Sequence, residues 1–201
     1  IEKDPKYAQA WSVLADSYLT LVILGAPVTD LYAIAGAAAA KAIDLDDSLA
    51  EPYVSRAMLK TLSTWDWPGA EADFRRAIER NPQYATAHHW FALELIATGR
   101  AAEALSEMKA AREAEPLSPI VNAHVGGGYY FDRQPDRAIE ELRNAVELDP
   151  SFSQSHQYLG MAFAIKGNAS EAATHLDQGL ALSQRRSLAL TYAAAGFANL
   201  G

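Results

Sequence analysis

The sequence predicts an all-α solenoid of about five helix-turn-helix repeats followed by a terminal half repeat. Three observations carry this. Helix-end markers stand at Pro5, Asp47, Pro82, Pro116, Pro150 and Gln184, at intervals of 42, 35, 34, 34 and 34 residues. Between markers the same order of large, apolar, small and aromatic residues recurs at helical spacing. Helix-starting and helix-ending residues fall at matching places in the intervals. With such a period, no segment buries its apolar face alone, and stacking builds one continuous core. The repeats fall near residues 8–47, 50–82, 85–116, 119–150 and 153–184, with a partial repeat at 187–201.

Repeat 1 opens on Trp11, Leu14, Ala15 and Tyr18, steps of three and four that share one helix face. Repeat 3 has His88, Phe91, Ala92 and Leu95; repeat 4 has Asn122, Val125, Gly126 and Tyr129; repeat 5 has His156, Leu159, Gly160 and Phe163. The final half carries Leu190, Ala193, Ala194 and Phe197. The small residue lets the partner helix approach. Second helices repeat small-large-small, as in Ala70, Phe74 and Ala77, or Ala138, Leu142 and Ala145. Ser48 with Glu51 predicts a capping box at the third helix, and Asn168 with Glu171 has the same form. Pro68, Pro119 and Pro135 suit helix starts, and Gly99 and Gly167 suit helix ends.

Two repeats depart from the pattern. Repeat 1 carries about eight extra residues in the apolar stretch from Leu21 to Asp30, predicting a longer first helix and a loop packed on the array. Repeat 2 has Arg56 and Lys60 where other repeats are apolar, predicting either a looser repeat or stems that snorkel to solvent. The Trp65-Asp66-Trp67 turn is expected to offset that loss by burying aromatic surface.

Composition narrows function. The net charge is −8 with no basic cluster, which argues against binding a phosphate backbone. Cysteine is absent, removing disulfides, thiolate catalysis and zinc-thiolate sites. No apolar run approaches the ~20 residues that span a bilayer, and no signal peptide is visible. The expectation is a soluble chain, cytoplasm favoured, and a piece of a longer protein. The glutamates of the second helices stand among Arg and Lys as a solvated face. His88 and His89 are adjacent, point about 100° apart on a helix and do not chelate together. No nucleophile–base pair, cofactor motif or metal set emerges, so the reading is non-enzymatic, with no cofactor and no metal. Gly126-Gly127-Gly128 lacks the strand and Lys-Ser/Thr of a phosphate loop. Gly126 matches Gly160 as a packing position. Gly127 and Gly128 have no such explanation and read either as a tolerated weak spot or as a place where a ligand backbone approaches. The Asn168-Ala-Ser170 sequon reads better as a helix cap.

Trp11-x-x-Leu14-Ala15-x-x-Tyr18 and Ala138-x-x-x-Leu142-x-x-Ala145 closing on Pro150 resemble the tetratricopeptide repeat family over nearly the whole chain. Trp65-Asp-Trp67, Tyr84-Ala-Thr-Ala-His-His89 and Asp149-Pro-Ser-Phe152 are similar to bacterial members attached to winged-helix regulators, nucleotide cyclases or kinases. The resemblance implies a right-handed superhelix whose first helices line a concave groove. In repeat 1 the groove positions are Gln9, Ser12, Asp16 and Leu19, and in repeat 2 Glu51, Val54, Met58 and Thr61. The candidate peptide-binding residues are Met58, His89, Leu93, Ile96, Gly127, Tyr130, Phe131, Gln157 and Met161. Chaperone-binding members clamp a carboxylate with Lys, Arg and Asn; the matching places here hold Ser12, Asp16, Val54 and His89, so that clamp is absent. The expected function is a scaffold binding a protein or peptide segment, within a larger bacterial regulatory protein. The partners exclude nucleic acid and membrane. The alternative is self-association through the apolar flank Leu188, Leu190, Phe197 and Leu200.

Overall fold

The computed structural model describes Ile1, residues 3–23, Ala26, residues 30–183, Ala195, Gly196 and Ala198. The predicted C-terminal flank (Leu188, Leu190, Phe197 and Leu200) lies outside the described residues. Ten α-helices and no strand are present among the described residues. They are α1 (Ala8–Ile23), α2 (Leu31–Leu45), α3 (Glu51–Leu59), α4 (Trp67–Arg80) and α5 (Ala85–Ala97). They continue with α6 (Ala101–Ala114), α7 (Pro119–Phe131), α8 (Pro135–Leu148), α9 (Ser153–Ile165) and α10 (Ala169–Leu182). The chain forms two compact units, residues Ile1–Glu94 and Leu95–Gly201, with the division inside α5.

In the N-terminal unit α1 packs on α2 and α3, and α3 packs on α4. Ala35, Ala39 and Ala42 are buried, and Trp11 and Leu14 pack against the small cluster of Ala15, Ala38 and Ala39. Phe74 of α4 stacks on Phe91 of α5 at 5.7 Å, both fully buried, and the Arg75 guanidinium lies over the Phe91 ring. Such a pair adds about 1 kcal/mol beyond its buried area. In the C-terminal unit α7 packs on α6, α8 and α9, and α9 on α8 and α10. Ala104, Met108 and Ala111, then Ala138, Leu142 and Ala145, then Ala172, Leu176 and Gly179, are buried as the small-large-small pattern predicts.

The helix-end markers have a chemical reason. Trp11 Nε1 donates to the Pro5 carbonyl at 2.9 Å, and Asn122 Nδ2 to the Pro116 carbonyl at 2.8 Å. His88 Nε2 and His156 Nε2 each lie 3.0 Å from the carbonyls of Pro82 and Pro150. Tyr53 Oη donates to the Asp47 carbonyl at 3.4 Å. In every case the donor lies six residues after the acceptor. Four kinds of side chain thus satisfy a carbonyl that no helix partner reaches. For the histidines the contact requires the Nε2–H form.

The turns inside the repeats share another signature. Trp65, Gly99, Arg133 and Gly167 all have left-handed φ, between 56° and 78°, and stand 34 residues apart. Arg100, Gln134 and Asn168 donate backbone N–H groups to the carbonyls of Leu95, Tyr129 and Phe163. These bonds close the helix ends by a Schellman arrangement. Gly99 and Gly167 fill this role as expected and Arg133 fills it without a glycine, whereas Trp65 shares the φ but ends a π-helical turn, with the Asp66 N–H bonded to the Lys60 carbonyl.

Three local expectations are corrected. Ser48 does not cap α3, because its N–H and Oγ both bond Asp46 Oδ1, at 3.0 and 2.6 Å. Those bonds hold the Asp46 carboxyl below its usual range. Asn168 does cap, accepting from the Glu171 N–H. The apolar insert lengthens α1 to sixteen residues, with Leu21 and Ile23 exposed; the predicted loop falls mainly on residues 24, 25 and 27–29, outside the described residues. Arg56 and Lys60 do not snorkel to solvent. Arg56 bonds Asp73 through Nη2 at 2.6 Å and Nε at 2.8 Å, and Lys60 Nζ reaches the same carboxylate at 2.7 Å. Asp73 is only 5% exposed, and Lys60 also donates to the Gly69 carbonyl. Finally, Trp65 is 69% exposed and only Trp67 is half-buried, so the turn buries one of its two rings in part. The chain there passes through a π-helical turn, Lys60–Thr64, and Asp66 caps α4 by accepting from the Gly69 N–H.

Candidate functional site

In the N-terminal unit the candidate residues meet different fates. Met58 and His89 are buried, while Leu93 is half-buried. Burial lowers the His89 pKa to about 4, so its ring is neutral near pH 7. Its neighbour His88 is turned to the Pro82 carbonyl, so the two rings serve separate surroundings. Thr61 donates to the buried carboxylate of Glu94 at 2.9 Å. At the start of the same face an open cleft lies among Gln9, Ser12, Val13, Asp16, Glu51 and Tyr84. Four of these, Gln9, Ser12, Asp16 and Glu51, are groove positions read from the sequence.

In the C-terminal unit Ile96 and Tyr130 are half-buried and Phe131 is 37% exposed. Tyr130 and Phe131 pack edge to face at 5.2 Å, Phe131 meets Tyr158 at 6.3 Å, and Tyr158 meets His124 at 5.8 Å. An open cleft of about 330 Å³ lies among Tyr130, Phe131, Arg133 and Ile165. Gln157 and Met161 are buried; Gln157 reaches toward the Gly179 carbonyl, tying α9 to α10.

Packing explains two glycines of the run, Gly126 and Gly127. A Cβ on Gly126 would collide with the Leu142 side chain of α8. On Gly127 it would meet the Tyr158 ring of α9 at 3.1 Å, and on Gly128 Leu105 Cδ1 of α6 at 3.2 Å. Three successive residues, each turned about 100° from the last, thus face three different helices. The expectation that stacking has no use for Gly127 is corrected on this ground; at Gly128 a Cβ meets only the movable tip of Leu105, so packing does not demand a glycine there.

Among the described residues no group of three or more His, Asp or Glu is placed to hold a metal ion. No described helix is long and apolar enough to cross a membrane. The second-helix glutamates engage basic neighbours, as in Arg75 with Glu71, Arg100 with Glu103, and Arg112 with Glu141 of α8. His156 and His175 stack at 5.4 Å with their Nδ1 atoms 3.1 Å apart. Burial, then the His156 ring, lowers the His175 pKa. Sequence reasoning missed Tyr158, Arg133 and Ile165. One signal was available for Tyr158: positions 90, 124 and 158 carry rings (Trp90, His124 and Tyr158) at the repeat interval.

Comparison with known proteins places this geometry. The tetratricopeptide repeat model matches residues 66–119 and 128–187. No curated protein matches the sequence. Among solved structures, TTC0263, a thermophilic TPR protein of Thermus thermophilus, is similar at a TM-score of 0.73 and 18% identity, over 95% of this chain and 99% of that one. MamA (41-end) from Desulfovibrio magneticus RS-1 is similar at 0.67 and 20% identity, over 89% and 96%. YrrB, a TPR protein with an unusual peptide-binding site, is similar at 0.64 and 20% identity, over 95% and 94%. At these identities the likeness speaks to the fold. With the family model matching more than half of its length, the chain belongs to the tetratricopeptide repeat family, an all-α solenoid of helical repeats.

Proposed function

We propose that this chain is a protein-interaction module that takes a peptide or protein segment on the first-helix face of its units. The observation that carries the reading is the cleft at the end of α7. Tyr130, Phe131 and Ile165 leave apolar surface there that the local packing does not cover, with the Arg133 cation at its rim. Aromatic and aliphatic anchors beside an open cleft suit a side chain of a partner segment. Leu93 in the N-terminal unit and Ile96 in the C-terminal unit are further half-buried contacts. Met58, His89, Gly127, Gln157 and Met161 support the face from beneath, because burial leaves a ligand little of them to touch. The proposal involves no catalytic step. The peptide-binding site of YrrB gives it precedent in the same fold. The bacterial wording around Trp65 and Tyr84 supports a setting within a larger regulatory protein.

The test is selection of peptides on the 201-residue chain, followed by affinity measurement on variants. Phe131→Glu combined with Tyr130→Ala is expected to weaken the selected peptides about tenfold or more. Peptides indifferent to those changes and to Leu93→Glu overturn the reading. A mass that rises with concentration in light scattering, with no peptide selected, favours self-association instead.

A further inference from the structure

We infer that the cleft of the N-terminal unit accepts a lysine or arginine side chain of the partner segment. This rests on the peptide-binding reading above and names the chemistry of the partner. The cleft measures about 130 Å³ and is lined by Gln9, Ser12, Val13, Asp16, Glu51 and Tyr84. That is well below the roughly 300–1,000 Å³ of small-molecule sites. It matches the end of one long side chain better than a whole ligand.

The lining is chemically one-sided. It holds two carboxylates and no cationic side chain. Asp16 is exposed on the middle of α1 and Glu51 half-exposed at the start of α3, and neither forms an ion pair among the described residues. The helix N-terminus accounts for Glu51 in part, since a negative charge in the first turn is favourable there. It does not account for Asp16.

Ser12 supplies the independent observation. It is 2% exposed, lines the cleft, and its hydroxyl makes no hydrogen bond among the described residues. What surface Ser12 keeps opens on the cleft, so its hydroxyl is within reach of a donor from a bound side chain. An ammonium or guanidinium held between Asp16 and Glu51 offers donors to all three groups at once. The exposed Val13 side chain gives the methylene stem an apolar flank, and the half-buried Tyr84 ring suits a cation or guanidinium plane. The chain's net charge of −8 draws basic segments toward it.

The experiment is random-peptide display panned on the full 201-residue chain, with affinities then read by fluorescence anisotropy. Selected peptides are expected to share a Lys or Arg at one position. Their affinity should fall about tenfold or more in the Asp16→Asn, Glu51→Gln double variant, and several-fold in Ser12→Ala. Added salt should weaken it further. Glu113→Gln with Asp177→Asn, exposed positions of the C-terminal unit that do not line the cleft, should leave it unchanged. The single Asp16→Asn variant, at an exposed helix position, repeats the test should the double variant unfold. Peptides lacking a shared basic residue overturn this inference and leave the peptide-binding reading standing. So do basic peptides indifferent to Asp16→Asn and Glu51→Gln. No selected peptide removes both. Calcium uptake by the chain alone, lost in the double variant, assigns the cleft to a metal ion and overturns the inference.

Discussion

Gly127 lies beneath the ring of Tyr158, close enough that a Cβ would meet that ring at 3.1 Å. The relationship turns an apparent weak spot of α7 into the contact that lets α9 approach.

It also ranks three substitutions. Each glycine-to-alanine change gains up to about 1 kcal/mol of helix propensity. At Gly128 the obstacle is the tip of Leu105, which can rotate, so Gly128→Ala should raise stability. At Gly127 the obstacle is Tyr158, buried and packed on His124 and Phe131, so the gain is cancelled or reversed. At Gly126 the Leu142 side chain occupies the space, and the loss should reach about 2 kcal/mol. Urea denaturation of the three variants checks the order.

The second prediction concerns the charge cluster of repeat 2. Asp73→Ala leaves Arg56 and Lys60 without their shared counter-charge and should cost about 2–4 kcal/mol. Arg56→Met with Lys60→Met added to Asp73→Ala should recover part of it, since an apolar set replaces the ionic one. A triple variant no more stable than Asp73→Ala would show that the cations contribute independently of the carboxylate.

The third concerns backbone conformation. Arg133 holds a φ of 57° at a place where Gly99 and Gly167 stand in neighbouring repeats. Arg133→Gly should stabilise the chain by about 1 kcal/mol, read as a higher melting temperature.

The fourth concerns pH. The folded-state pKa of His89, about 4, lies below the 6.5 of the unfolded chain. The unfolded chain therefore takes up the proton first. The contribution is fully present above pH 6.5 and is lost as pH falls toward 4, by about 3 kcal/mol. His175, lowered by burial and by His156, acts in the same direction. His89→Gln should flatten the stability profile between pH 6.5 and 4 relative to the parent chain.

The repeats were legible because their signal is periodic: buried Ala, Leu and Phe recur where stacking needs them. The candidate surface was only partly legible. Met58, His89 and Met161 follow the groove register, yet they are buried, because register says which way a side chain points and not what lies above it. Arg56 and Lys60 read as departures from the pattern because their partner, Asp73, sits on another helix. The left-handed φ of Trp65 and Arg133 was not legible, because a left-handed residue that is not glycine leaves no mark in composition.

The bond from each first helix back to its marker carbonyl has a consequence for how such a chain lengthens or shortens. Acceptor and donor lie six residues apart and straddle the seam between repeats, so a cut made just before the marker proline keeps each pair together. Removing residues 116–149 would join Glu115 to Pro150, and His156 would still find the carbonyl it uses now. A duplication of the same segment would likewise carry its own donor and acceptor. The array can thus grow or contract by whole cassettes without orphaning a carbonyl at the splice.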